Sequence, residues 1–157
     1  MPIEIDSDPQ EAVLTLRITG VATRDDNLIA LRNLAECVES PGLQGWRYLI
    51  DVSHFAETNL DSNDMLGLTR RLSRVAQREG DMTIALCAPS GSFGYAMARM
   101  FQAYATMNAG LDTQVFEDEA AARDWLGPAP EGISTEADGG DCPERRTPPG
   151  EDKGLPD

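Results

Sequence analysis

Two short, almost uninterrupted apolar runs constrain this chain more than any other feature. Tyr48, Leu49, Ile50 and Val52 form one, broken only by Asp51, and Met82, Ile84, Ala85, Leu86, Cys87 and Ala88 form the other. Runs of this length read as strands covered on both faces. Such strands need neighbours on either side and apolar cover above and below.

The flanking segments carry the periods that could supply both. Leu14, Leu16 and Ile18 alternate with Thr15 and Arg17, which predicts a half-exposed strand with the leucines and isoleucine inward and Thr15 and Arg17 in water. Ile3 and Ile5 alternate ahead of it, and the turn formers of 6–10 make the pair a hairpin. Thr23 and Asp26 stand at capping-box spacing before Leu28, Leu31, Leu34, Ala35 and Val38, a helix that Pro41 and Gly42 end. Asp61, Ser62 and Asn63 offer N-caps to a second helix whose apolar face is Met65, Leu68, Leu72, Val75 and Ala76. A third helix carries Tyr95, Met97, Met100, Phe101, Tyr104 and Met107. Val115 and Phe116 make a short last strand, and a fourth helix turns Ala121, Ala122, Trp125 and Leu126 inward. The order β-β-α-β-α-β-α-β-α predicts an α/β fold. Its mixed sheet is largely parallel, has one antiparallel strand from the hairpin, and is covered by about four helices.

The regular signals stop at Gly127. Residues 128–157 contain no aromatic residue and six of the ten prolines. Such a segment cannot bury enough apolar surface to offset the entropy of ordering, so the expected organisation is a domain over 1–127 and a disordered acidic tail over 128–157. The chain carries a net charge of −14; residues 1–127 hold 10 basic and 19 acidic residues, and 128–157 hold 3 and 8. Both parts are therefore acidic, which disfavours nucleic acid and anionic membranes as partners. The N-terminus lacks the basic and apolar regions of a signal peptide, and no apolar run approaches spanning length, so a cytoplasmic protein without a transmembrane segment is expected. The three cysteines, Cys37, Cys87 and Cys142, have no metal-ligand spacing. Cys37 and Cys87 read as small buried hydrophobes, with neither a disulfide framework nor a zinc site expected.

In an open α/β sheet, ligands bind beyond the carboxyl ends of the strands. There the two apolar runs end in Asp51-Val52-Ser53-His54 and in Cys87-Ala88-Pro89-Ser90-Gly91-Ser92. His54, Ser90, Gly91, Ser92 and Gly94 are accordingly the candidate ligand or anion loop. His54 is the single histidine, so a Ser/His or Cys/His enzyme would have to use it. Gly91-Ser92-Phe93-Gly94 lacks the spacing of a nucleophile elbow, and the segment has neither a P-loop lysine nor a complete dinucleotide fingerprint. No catalytic residue, metal or cofactor is assigned. Arg70, Arg71, Arg74 and Arg78 share one helix and read as a solvated face.

The stretches GSFGYAMARMFQAYA and TQVFEDEAAARDWLG resemble the SpoIIAA-like (STAS/SEC14-like) family of the STAS superfamily. The resemblance rests on Gly94, Tyr95, Ala98, Arg99, Met100, Phe101, Val115, Phe116, Glu119, Ala120, Trp125 and Leu126, and covers roughly residues 1–127. It implies a STAS-like fold and a non-catalytic regulatory or protein-interaction module of the anti-sigma factor antagonist kind. In phospho-regulated members a serine stands in an Asp-Ser-Ser/Thr-Gly-like motif at the start of the second helix. Asp61 and Ser62 match it and the glycine is absent, which makes Ser62 the candidate phosphorylation site. The SEC14-like side of the resemblance, with the broad apolar and methionine-bearing third helix, implies an alternative: a carrier with a pocket beside that helix for a small apolar ligand or lipid. A stripe this broad is usually core, and it could also form a homodimer surface.

Overall fold

The hairpin opens the structure, a computed structural model that describes residues 2–39 and 45–130. The expectations for Pro41, Gly42, Cys142 and the tail beyond residue 130 lie outside the described residues. Strands β1 (Ile3–Asp8) and β2 (Val13–Val21) pair antiparallel, with Ile5 opposite Leu16 and Asp8 opposite Val13. Helix α1 (Arg24–Glu39) leads to β3 (Arg47–Glu57), α2 (Ser62–Glu79) to β4 (Met82–Cys87), and α3 (Phe93–Ala105) to β5 (Leu111–Phe116). Helix α4 (Glu119–Leu126) follows β5. This is the element order expected from the sequence.

The five strands lie side by side in chain order, and β2 to β5 run parallel. Successive crossovers of one hand, each stepping to the next strand in the same direction, place their helices on one side. Leu14 and Ile18 of β2, Tyr48, Ile50 and Val52 of β3, and Ile84 and Leu86 of β4 form one apolar body with the buried residues of α1, α2 and α3. Val13, Leu49, Ala85 and Cys87 point the other way and meet Ala122 and Leu126 of α4. The apolar runs are continuous because their strands are covered from both sides.

Several faces differ from the periodic reading. Thr15 is 3% exposed and Arg17 is partly buried, since α4 covers the surface that alternation alone assigns to water. In α1 the buried line is Ala30, Leu34 and Cys37, while Leu28 and Ile29 are 36% and 42% exposed. In α4 Ala122 and Leu126 face inward, whereas Ala121 is exposed and Trp125 lies across the Phe116 ring with 5.6 Å between centroids. Strand β3 continues to Glu57 instead of ending near Val52. Cys37 is buried and disulfide-bonded, which corrects its reading as a plain buried hydrophobe; Cys87 is a buried free thiol. No helix among the described residues is long and apolar enough to cross a membrane.

Helix α3 packs tightly on the sheet at Gly94, where a Cβ would come within 1.8 Å of the Val52 carbonyl oxygen. Backbone cannot yield as a flexible side-chain tip can. Replacing Gly94 with Ala should therefore displace the start of α3 from β3 and destabilise the domain by about 3 kcal/mol, the upper end of ordinary overpacking costs. Chemical denaturation of the variant measures this loss.

Candidate functional site

Three places gather chemistry-bearing residues. The first is the loop after β4. Gly91 turns the chain at a φ of 86°, and Ser92 is the N-cap of α3. The Ser92 Oγ accepts from the Tyr95 amide at 3.1 Å and donates to the Pro89 carbonyl at 2.7 Å. The hydroxyl's donor and one of its acceptor sites are thus used in holding the helix start. Ser90 is exposed, Gly94 is buried against Val52, and His54 is exposed on β3 opposite Thr19 of β2. The sequence placed His54 in a loop; its strand runs three residues further, so the residue belongs to the β2–β3 ribbon.

The second place is a row across the sheet beneath α4. Strand register sets Arg17 opposite Asp51 and Asp51 opposite Cys87. Arg17 NH1 donates to Asp51 Oδ2 at 2.5 Å and to Glu119 Oε1 at 3.4 Å, and Arg123 Nε donates to Glu119 Oε2 at 2.8 Å. Burial works against the Asp51 carboxylate. Hydrogen bonds from Ser53 and the Arg17 charge overcome that and hold its pKa below the ordinary value. The Glu119 pKa is lowered by the Arg123 hydrogen bond and, against some burial, by Arg17. Cys87 is treated oppositely: burial first, then the charges of Asp51 and Glu119, push its thiol up to about 12. It stays protonated at neutral pH and is a poor nucleophile. At the other end of α4, the buried Arg47 guanidinium donates to the Leu126 carbonyl through NH1. Its NH2 donates to the Gly127 carbonyl at 3.2 Å and to the Glu11 carbonyl at 2.8 Å. A cation on the last carbonyls of a helix also opposes the negative end of its dipole.

The third place is a cavity of about 90 Å³ between the sheet and α1, α2 and α3. Ile18, Ile50, Val52 and Leu86 form its floor, α3 contributes Met97, Ala98 and Phe101, and α2 contributes Met65, Leu68 and Leu72. Asn27 of α1 is the only polar lining residue among the described residues. The sequence reading placed a pocket beside the third helix, and α3 does form one wall. Asn27 was missed; its signal was a polar residue one turn before the inward Ala30.

The same layering appears in a solved structure, an uncharacterized protein of the DUF3478 family with a SpoIIAA-like fold from Shewanella loihica PV-4. It superposes with a TM-score of 0.54 at 20% identity, over 79% of this chain and 91% of that one. This chain has a SpoIIAA-like fold. No family model and no curated protein matches it.

Within the SpoIIAA-like fold the sequence candidates stand apart. Ser62 is exposed as the first residue of α2, but the N-cap is Asp61. Its side chain accepts from the Asp64 amide at 2.9 Å while Asp64 accepts from the Asp61 amide at 3.0 Å. Asp64 also pairs with Arg24 Nε at 2.9 Å, and the Arg24 amide donates to Asn59 Oδ1 at 2.7 Å, so the starts of α1 and α2 are tied together. Among the described residues no group of three or more His, Cys, Asp or Glu side chains could hold a metal ion.

The row beneath α4 has a pH signature. Asp51 and Glu119 have folded pKa values below their unfolded ones, so their contribution is whole above the unfolded values of 3.8 and 4.5 and is lost as pH falls through the lowered ones. The urea midpoint should therefore fall between about pH 5 and about pH 3. In Arg17→Met that acid-side decline should be shallower, and stability at neutral pH should be lower by about 1 kcal/mol, as befits a partly exposed ion pair.

Proposed function

We propose that this domain is a non-catalytic binding module whose cavity receives a small apolar molecule. The observation that carries this is the cavity itself, an apolar space beneath three helices. Cavities with apolar walls stay dry and accept apolar guests; an engineered one of about 150 Å³ takes benzene or xenon. A space of 90 Å³ suits a guest smaller than benzene, and Met65 and Met97 can adjust to its shape. The position agrees with the fold: Phe55 and Leu86, which also line the cavity, lie toward the carboxyl ends of their strands, where open α/β sheets take ligands.

Xenon is the direct probe. Titration under xenon pressure should shift the methyl resonances of Ile50, Leu68, Leu86 and Met97 saturably. Ala98 lines the cavity and is 1% exposed, so Ala98→Leu should fill it and abolish the shifts. The accompanying loss of stability should stay within about 3 kcal/mol, the usual range for added core volume. Absence of saturable shifts in the unsubstituted protein would sink the reading.

A second reading, regulation through Ser62, is supported by the exposure of that hydroxyl in the first turn of an 18-residue helix. A phosphate there gains from free amides and the dipole, while Asp61 and Asp64 oppose it and Arg24 is already paired with Asp64. Phosphopeptide mass spectrometry on native material should find Ser62 modified, and Ser62→Asp should alter capture of a protein partner relative to Ser62→Ala. Identical capture by both variants would remove the switch.

A further inference from the structure

The margin of the cavity carries information about the end group of its guest. Among the described residues sixteen line the space, and fifteen of these are apolar. The sixteenth, Asn27, donates through Nδ2 to the Thr23 carbonyl at 2.8 Å. Only the NH₂ end of an amide can donate to a carbonyl, so this bond settles the amide's orientation and leaves Oδ1 as the unused group. Asn27 Oδ1 has no hydrogen-bond partner among the described residues. It is an acceptor, and it can be satisfied by a donor on a guest.

Asn27, Leu60 and Leu16 are the lining residues that are only partly buried, so the cavity approaches solvent near the starts of α1 and α2. Carboxylates crowd those starts. Asp25 and Asp26 precede Asn27, and Asp61 and Asp64 follow Leu60. The Asp26 carboxylate accepts from the Thr23 amide at 2.9 Å, and Arg24, the cation of this group, is paired with Asp64. An anionic guest would meet uncompensated negative charge there and would offer only acceptors to an acceptor.

We propose, building on the cavity reading above, that the site selects a small neutral molecule with one hydroxyl or N–H group for Asn27 Oδ1, and rejects carboxylates of the same length. Scaling from benzene in about 150 Å³, the space holds about four heavy atoms. That is the size of a three-carbon alcohol.

The test compares 1-propanol, propionate and xenon by amide and methyl shift titration of the full chain. Propanol should bind about 3- to 10-fold more tightly than propionate, the range that one hydrogen bond supplies. In Asn27→Leu, a change of similar volume, the affinity for propanol should fall by a similar factor while xenon still binds. Equal affinity for propanol and propionate would overturn the proposal, as would an unchanged propanol affinity in Asn27→Leu. Should the variant fail to fold, the comparison in the unsubstituted protein still decides. Xenon binding without propanol binding would overturn the end-group assignment alone; failure of both would overturn the cavity reading beneath it.

Discussion

A parallel sheet tolerates water on neither face, and this chain has four helices with which to meet that demand. Strand order following chain order commits three of them to one side. The other side is left to α4, eight residues long, which brings only Ala122 and Leu126 into full burial. Burying two such side chains supplies on the order of a few kcal/mol, and an isolated helix of this length is not stable by itself. The polar contacts around α4 answer that shortage. Arg17 and Asp51 hold its first turn through Glu119, and Arg47 holds its last carbonyls. The crowded side has the reverse problem. Three helices laid over a twisted sheet must leave space somewhere, and the cavity lies where α1, α2 and α3 converge.

How much of this could be read from the sequence follows from the same imbalance. Element order and strand direction were legible because Tyr48–Val52 and Met82–Ala88 admit few other roles. The inward face of α2 was legible because Met65, Leu68, Leu72, Val75 and Ala76 fall on one side of a helix with arginines on the other. In α1 the apolar residues nearly encircle the axis, so periodicity could not choose between Leu28 and Ala30; packing against α2 and the sheet did. Thr15 and Arg17 were assigned to water because alternation says which residues share a face, not whether that face is covered.

The candidate site was less legible, for a different reason. Ser92 and Gly94 stood out as chemistry and proved to be construction, one as a helix cap and the other as the contact point with Val52. Ser62 was reached by resemblance, and it does stand exposed at a helix start, although Asp61 does the capping. The cavity depends on side chains from six elements and the loop before α2, separated by up to 85 positions from Leu16 to Phe101. No local pattern encodes such a meeting. Asn27 shows the difficulty most plainly: within α1 it is one polar residue among several, and only the neighbouring walls give its unused oxygen a meaning.

The hold of Arg47 on Leu126 and Gly127 has a mechanical side. Arg47 opens β3, the middle strand of five, and the chain leaves α4 at Gly127. A tug on the segment after Gly127 is therefore delivered through a guanidinium to the centre of the sheet. It does not act first on the end of a short helix. The weakest element of the fold is shielded from load by its attachment to one of the strongest.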